Sequence, residues 1–264
     1  MKLSPLSTKA LEALGTYHYL SASQMHRAGV GASARTAREK ALDPLVKRAK
    51  PLVLCQPFGW IAGRGRLESI YQLTPFGART LAELWRCAET DITYPKTPLK
   101  FQRDYEHRKG VVDIHIAFRN WTEQSVEREI LRFDPYYFRP NKRPLTQFRF
   151  KPDASLPSDY AKVIEPDAII EFREEDKVTL AAIELHWATD TRRIANQLDR
   201  HITALSQNLI SERYNHPEPH VVFSVHKNPT TRKSVQVWFD ENEESMAFKP
   251  FFRWVDFEFL VDVH

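Results

Sequence analysis

Two consecutive apolar strands with acidic residues at neighbouring ends constrain the fold of this chain most strongly. The apolar and β-branched residues of 163–172 and 178–187 predict two paired strands joined by a charged turn. Asp167 stands at the head of the first strand and Glu184 near the end of the second. The two carboxylates can therefore reach one cation, and Mg²⁺ prefers oxygen ligands of this kind. Asp167 and Glu184 are the candidate metal ligands.

These strands belong to a longer series of elements. Apolar residues three to four positions apart predict a helix over 104–121, for which a strand is the alternative, and a β-rich run follows at 126–133. After the strand pair, one apolar face predicts a long helix over about 190–212, and a further strand lies at 221–225. The order α, β, β, β, α, β predicts an αβββαβ domain, in which Glu106 of the first helix is a third candidate ligand.

The same residues admit simpler roles. Either acid could cap a turn or pair with Arg192 or Arg193, and Gln197 could be a solvated glutamine on the long helix. The aromatic residues near the C-terminus, at 251–254 and 257–260, predict an added edge strand or a surface for a partner, and packing in the core is the simpler alternative. Histidines, among them His186 and His201, either gather in the cleft near the acids or are ordinary polar residues.

The N-terminal part of the chain is basic. Residues 1–100 carry 15 Lys and Arg against 7 Asp and Glu, whereas the remaining residues carry 23 against 27. Such an asymmetry is typical of a DNA-binding module, although a solvated basic face without a partner would look the same. No apolar run is long enough to cross a bilayer, so we expect a cytoplasmic protein without membrane contact.

Three short helices followed by a glycine-rich basic hairpin are expected in this basic part. A helix beginning at Ser33 buries alanines on one face and turns cations outward, and Pro44 should kink or end it. The turn at 59–66 separates two extended runs. This order predicts a winged helix-turn-helix whose third helix enters the major groove and whose wing grips phosphates. The expected DNA-binding residues of helix and wing are Arg35, Thr36, Arg38, Lys40, Arg64 and Arg66. A small helical bundle with solvated arginines is the alternative.

The segment at 89–100 contains two prolines and has no helical periodicity, which favours a linker. We therefore expect two domains, a DNA-binding domain over 1–98 and the αβββαβ domain over 99–264. The fold class is α+β.

A second basic segment, at 132–151, interleaves cations with aromatic rings. Stacking rings and phosphate-attracting cations together suit single-stranded DNA. The candidate contact residues are Tyr136, Tyr137, Arg139, Lys142 and Arg143. A β-hairpin with an aromatic core face is an equally good reading of this segment.

The combination of motifs resembles a known family. Tyr71 to Gly77, His107, Pro166-Asp167-Ala168, Glu184-Leu185-His186 and Thr189 are similar to the replication-relaxation family of plasmid and mobile-element proteins. The resemblance implies a winged helix followed by a PD-(D/E)xK nuclease-like domain, with Glu106, Asp167, Glu184 and His186 as the candidate catalytic residues. His186 stands where an active nuclease of this kind has lysine. A neutral imidazole cannot replace a permanent positive charge, so we expect weakened or lost cleavage.

Three functions remain compatible with the sequence. The first is a DNA-binding accessory or initiator protein of plasmid or mobile-element replication or conjugative mobilisation, with an inactive nuclease-like domain that requires no cofactor. The second is a Mg²⁺-dependent DNA nickase or endonuclease. The third is a dimerising assembly protein that recruits a relaxase or replication protein. We favour the first, and we expect a homodimer that binds duplex DNA and can also meet single strands.

Overall fold

The computed structural model describes residues 3–61, 63, 65–99, 104–138, 145–151 and 162–261. Helices and strands are both present throughout, which confirms the α+β class. The chain divides into two compact units, Met1–Ile116 and Ala117–His264. The division falls inside a helix, Tyr105–Glu123, and not near residue 98 where the proline-containing segment placed it.

The first unit contains helices and short strands in alternation. In chain order they are α1 (Pro5–Tyr17), β1 (Tyr19–Ser21), α2 (Ala22–Arg27), α3 (Ala34–Thr36), a π-helical segment (Ala37–Leu42), α4 (Asp43–Val46), β2 (Val53–Gln56), β3 (Trp60–Ile61), β4 (Gly65–Arg66), β5 (Ile70–Leu73), α5 (Pro75–Trp85), a 3₁₀ turn (Glu89–Asp91) and the first part of α6 (Tyr105–Glu123). Strands β1, β5 and β2 form an antiparallel sheet in the order β1-β5-β2, and β3 pairs with β4 as a separate hairpin.

The third helical stretch is longer than its sequence indicates. Ser33 caps it as predicted, since the side chain accepts the Thr36 N–H at 3.0 Å. Of the two alternatives for Pro44, a kink or an end, the end is not observed, because a π-helical segment precedes Pro44 and α4 continues to Val46. Pro44 lies in the first turn of α4, where a backbone donor is not needed. The stretch buries Ala37 and Ala41 completely, so its polar side faces outward as expected.

The start of helix α5 is held close to Leu52, the residue before strand β2. Thr74 caps α5 by accepting the Gly77 N–H at 3.0 Å, and its own N–H donates to Leu52 O at 3.0 Å. A Cβ atom on Gly77 would lie 1.9 Å from the same Leu52 oxygen. The run Thr74 to Gly77 therefore has a structural explanation: only glycine allows α5 to approach β2 this closely.

The proline-containing segment after α5 lies along the first unit and is not a free linker. Gln72 Nε2 donates to the carbonyl oxygens of Pro95 at 3.0 Å and Thr97 at 3.2 Å. Further on, the Leu99 N–H donates to Gln56 Oε1 at 2.8 Å. Side-chain amides of β5 and β2 thus satisfy backbone groups that have no ladder partner, which ties the segment to the sheet.

The first part of α6 is joined to α2 by a buried polar network. Asp113 is only 6% exposed and accepts Gln24 Nε2 at 2.7 Å as well as the guanidinium of Arg27. Lys109 of the same helix forms an ion pair with Glu68 at 2.6 Å. Burial alone would raise the pKa of Glu68, but the Lys109 ammonium and hydrogen bonds from Ser23 outweigh it and lower that pKa. These contacts assign the start of α6 to the first unit.

The second unit continues with the end of α6 and a larger sheet. Its further elements are β6 (Arg128–Pro135), β7 (Phe148–Phe150), β8 (Lys162–Ile164), β9 (Ala168–Glu174), β10 (Lys177–His186), α7 (Thr191–Ser206), α8 (Leu209–Tyr214), β11 (Val221–His226), α9 (Pro229–Glu241), α10 (Glu243–Met246), a 3₁₀ turn (Lys249–Phe251), β12 (Phe252–Asp256) and α11 (Phe257–Val261).

Five of these strands pair in the order β12-β11-β10-β9-β6. The pairs β6–β9 and β9–β10 are antiparallel, whereas the pairs β10–β11 and β11–β12 are parallel. The strand expected over 163–172 is divided into β8 and β9, and β8 pairs instead with β7. The expected edge strand at 251–254 is present as β12, but the following aromatic run forms α11.

Helix α7 and the end of α6 cover opposite faces of this sheet. Ile194, Leu198 and Leu205 of α7 pack with Val222 of β11 and Phe252 of β12. On the other face, Phe118 of α6 contacts Phe172 and Phe223, at ring distances of 5.7 Å and 5.8 Å. Residues of β10 with the parity of Ala182 face α7, because side chains alternate along a strand. Glu184 and His186 share that parity.

Candidate functional site

Asp167 fastens the start of β9 to the end of β10. Its N–H donates to Ile183 O at 2.9 Å, and its carboxylate Oδ2 accepts the Leu185 N–H at 2.7 Å. The predicted neighbourhood of Asp167 and Glu184 is therefore present, since Leu185 directly follows Glu184. One oxygen of Asp167 is already used to close the two strands.

Glu184 is buried and both of its carboxylate oxygens have partners from α7. The residue is 1% exposed. Gln197 Nε2 donates to Oε2, and His201 Nε2 lies 2.6 Å from Oε1. Gln197 and His201 are four positions apart, which places both on the face of α7 that meets β10. The sequence indicated His201 as a possible member of a cleft near the acids and Gln197 as a glutamine of the long helix that could be solvated. Their shared partner depends on how α7 packs.

Burial disfavours the charged forms of both Glu184 and His201. Burial, followed by the repulsion of Asp167, raises the pKa of Glu184 well above its ordinary value. Burial also lowers the pKa of His201 well below its ordinary value, with further contributions from His220 and His186. Both directions favour uncharged groups. We conclude that Glu184 and His201 share one proton as a neutral hydrogen-bonded pair.

This arrangement does not fit the expected Mg²⁺ site. Mg²⁺ requires open carboxylate oxygens and retains several waters, but both oxygens of Glu184 are engaged in hydrogen bonds with protein groups. Within the described residues, no three or more His, Cys, Asp or Glu side chains are grouped as a metal site. Glu106, the expected third ligand, lies in the first turn of α6.

His186 is packed against another histidine. Its ring centroid lies 4.7 Å from that of His226, and the residue is 5% exposed. On the next strand, Ser224 Oγ lies 2.8 Å from His226 Nε2. Burial lowers the pKa of His226 to about 4 and that of nearby His220 to about 3. The position where the resemblance places a lysine is thus occupied by a buried side chain.

A cavity of about 500 Å³ lies beside Glu184. Its lining includes the guanidinium-bearing and amide-bearing side chains of α7, namely Arg192, Arg193, Asn196, Gln197 and Arg200. Arg192 and Arg193 are exposed and form no ion pair within the part of the chain that the structure describes. The sequence suggested these two arginines only as partners for Asp167 or Glu184, and α7 presents them to the cavity instead.

The expected groove-binding helix presents a cationic surface in the first unit. Arg35, Arg38 and Lys40 are exposed. Arg35 and Arg38 both contact Glu39 Oε1, at 3.0 Å and 3.5 Å. Thr36 Oγ1 lies 3.0 Å from Ser33 Oγ, so it is engaged with the helix cap. The three cations remain available to a partner, because contacts between exposed charges are weak and exchange readily.

Arg38 of this helix and Arg66 of the hairpin line the same cavity of about 330 Å³. The structure therefore brings together one residue from each predicted DNA-contacting element. Arg66 pairs across the hairpin with Trp60, whose side chain is 63% exposed. Sequence reasoning missed Trp60, although a tryptophan beside a glycine-rich turn is a usable signal. Arg64 lies outside the described residues.

The basic aromatic segment is divided between core and surface. Phe148 and Phe150 are each 4% exposed and pack with Ile169 and Leu180, which agrees with the core-face alternative. Tyr136 and Tyr137 contact each other edge to face at 5.3 Å and are half-buried. The other proposed single-strand contacts, Arg139, Lys142 and Arg143, lie outside the described residues.

No helix in the described parts of the chain is both long and apolar enough to cross a membrane. Comparison with known proteins finds no matching family model, no matching curated protein and no matching solved structure.

Proposed function

We propose that this chain is a DNA-binding accessory or initiator protein of plasmid or mobile-element replication or conjugative mobilisation. In this proposal the first unit is a winged helix-turn-helix that binds duplex DNA. The second unit is a PD-(D/E)xK-like domain that no longer cleaves DNA.

The strand order of the first unit supports the winged-helix interpretation. In a winged helix, the strand after the first helix pairs with the last strand of the wing, so the sheet is ordered first, third, second. Strands β1, β5 and β2 have this order, and the β3–β4 hairpin lies between β2 and β5 in the chain. The helical stretch over 34–46 then corresponds to the recognition helix.

The single observation that carries the proposal is the shared cavity of Arg38 and Arg66. DNA-binding proteins of this class use a helix for base edges and a neighbouring hairpin for phosphates, so cations from both elements must face one surface. Arg38 and Arg66 meet this requirement although they are far apart in the chain. The exposed ring of Trp60 beside Arg66 adds an apolar contact for sugar or base.

The positions and burial of Glu184 and His186 support the proposed loss of cleavage. The order of α6, β6, β9, β10, α7 and β11, with β7 and β8 inserted between β6 and β9, supports the proposed αβββαβ core, and Asp167 and Glu184 lie near the ends of β9 and β10 that meet. Glu184 is sequestered by Gln197 and His201, and His186 is buried against His226. A site that must bind a metal and activate water needs these groups accessible.

Duplex binding by the full chain tests the first part of the proposal. We expect Arg38→Ala and Arg66→Ala to weaken binding to duplex DNA by about ten-fold each, with a smaller dependence of affinity on salt concentration. Lys96→Ala is the matched control, because Lys96 is an exposed cation of the same unit that does not line the cavity. Equal losses in all three variants, measured by fluorescence anisotropy, would contradict a defined DNA surface.

A nicking assay tests the second part. We expect the wild-type chain to leave supercoiled DNA intact with Mg²⁺ or Mn²⁺. Cleavage that is abolished by both Asp167→Asn and Glu184→Gln would establish the nickase instead.

A further inference from the structure

The cavity beside α7 is rich in hydrogen-bond donors. Arg193, Asn196, Gln197 and Arg200 recur three or four positions apart, so they share one side of the helix. Arg192 also lines the cavity. Guanidinium and amide groups together provide several N–H donors in fixed planar geometry.

Three acidic residues, Glu165, Glu184 and Asp190, line this cavity together with the arginines. Glu184 is hydrogen-bonded to Gln197 and His201 and is 1% exposed. Asp190 caps α7 by accepting the Arg193 N–H at 3.0 Å. Arg200 donates to Val163 O at 3.3 Å, whereas the guanidiniums of Arg192 and Arg193 form no ion pair within the described ranges. With Glu184 held by α7, three guanidiniums line the cavity beside the two other acidic residues, Glu165 and Asp190, and this excess of positive charge favours an anion.

We propose that this cavity binds a phosphate group directly, through Arg192, Arg193 and Arg200, without a metal ion. Planar guanidinium forks match two phosphate oxygens at once and carry a permanent charge. This charge replaces the role that a cation would have in a nuclease, since Glu184 has been withdrawn into the core. The proposal concerns the second unit and goes beyond the duplex binding assigned to the first.

The size of the cavity indicates a phosphate that is part of a larger molecule. A volume of about 500 Å³ exceeds that of a single inorganic phosphate and is in the range of small-molecule sites. Val163 and Ile164 add an apolar side to the lining, against which a sugar or base can pack. Phosphate esters of nucleic acid strands and free nucleotides share this chemistry.

Binding measurements on the full chain in EDTA test the proposal. The probes are inorganic phosphate, adenosine monophosphate, and a fluorescent single-stranded oligothymidylate with both ends blocked. We expect wild-type chain to bind at least one of them, and the double variant Arg192→Ala/Arg193→Ala to bind it at least about ten-fold more weakly. Binding of the blocked strand identifies backbone phosphodiesters as the ligand; binding of the first two probes alone identifies a free phosphate monoester.

Two controls separate this site from general charge effects. Lys233→Ala removes an exposed cation of α9 in the same unit and should leave binding unchanged. Arg192→Lys/Arg193→Lys retains the charge but loses the fork geometry, so it should bind more weakly than wild type. Because Arg192 and Arg193 are exposed, circular dichroism should show that the variants fold. Equal binding by wild type and the alanine double variant, or binding only when Mg²⁺ is added, would overturn the proposal. Duplex binding through Arg38 and Arg66 would be unaffected by that result.

Discussion

At the scale of single residues, Glu184 is the position where charge, burial and function meet. Its pKa is raised by burial and by Asp167, while burial lowers that of His201, so a neutral pair satisfies both. An uncharged carboxylic acid can be replaced by an amide of the same shape. A carboxylate that must carry charge cannot, because it would lose its electrostatic partner.

We therefore expect Glu184→Gln to change the free energy of unfolding by less than about 1 kcal/mol. Glu184→Ala should cost several times more, on the order of 3 kcal/mol, because it leaves Gln197 and His201 without a buried partner and opens a cavity. Urea unfolding of both variants measures the difference. If the glutamine variant is as unstable as the alanine variant, Glu184 is ionised and His201 is its charged partner.

At the scale of elements, the α7–α8 junction separates what the sequence can predict from what it cannot. The apolar face of α7 was predictable from its period, but the helix ends at Ser206 and restarts at Leu209. Asn208 between them has φ 51°, in the left-handed region. The break depends on the backbone conformation of this one residue, and the spacing of apolar residues along the helix does not reveal it. The ends of β10 and β11 were predictable from their apolar residues, whereas the division of 163–172 into β8 and β9 and the hydrogen bonds from α7 to Glu184 required the packed fold.

Asn208 gives a test at this scale. Asn208→Ala should lower the free energy of unfolding by about 1 kcal/mol, because asparagine, whose short polar side chain can hydrogen-bond locally, tolerates this positive φ better than alanine does. Asn208→Gly is the control and should be neutral or slightly stabilising, since glycine adopts this conformation freely. Thermal unfolding distinguishes them. Equal stability of all three proteins would mean that the junction is not held in the left-handed conformation.

At the scale of the whole molecule, stability should fall in mild acid. The pKa of His226 is lowered to about 4 and that of His220 to about 3, from an ordinary value of 6.5. Below pH 6.5 the unfolded chain binds protons that the folded chain excludes, so each group removes about 1.4 kcal/mol per pH unit down to its folded pKa. The raised pKa of Glu184 works in the opposite direction, since the folded state then keeps a proton that the unfolded state loses.

His220 isolates one part of this dependence. Both of its ring nitrogens are buried without a hydrogen-bond partner among the described residues. His220→Leu should therefore stabilise the protein more at pH 5 than at pH 8, as measured by urea unfolding at both values. An equal effect at the two pH values would exclude His220 as a source of acid sensitivity.

Metal addition is a second whole-molecule test. A ligand that binds only the folded state raises the melting temperature. Since the donor set around Asp167 and Glu184 does not fit Mg²⁺, melting in millimolar Mg²⁺ should match melting in EDTA within about 1 °C. A clear rise with Mg²⁺, absent in Asp167→Asn, would restore the metal site.

The polar network that joins α2 to α6 decides where this protein can be cut. A fragment that ends near residue 98, produced by a protease or a stop codon, would lack Asp113 and Lys109. Gln24 and Arg27 would then lose their shared partner Asp113, and Glu68 would lose Lys109. The fragment would retain Gln24 and Arg27 as hydrogen-bond donors without their acceptor and Glu68 without its ammonium partner. We expect such a fragment to be less soluble and to be produced in lower yield. A stable fragment of the first unit must therefore include α6 through Ile116, the last residue of that unit.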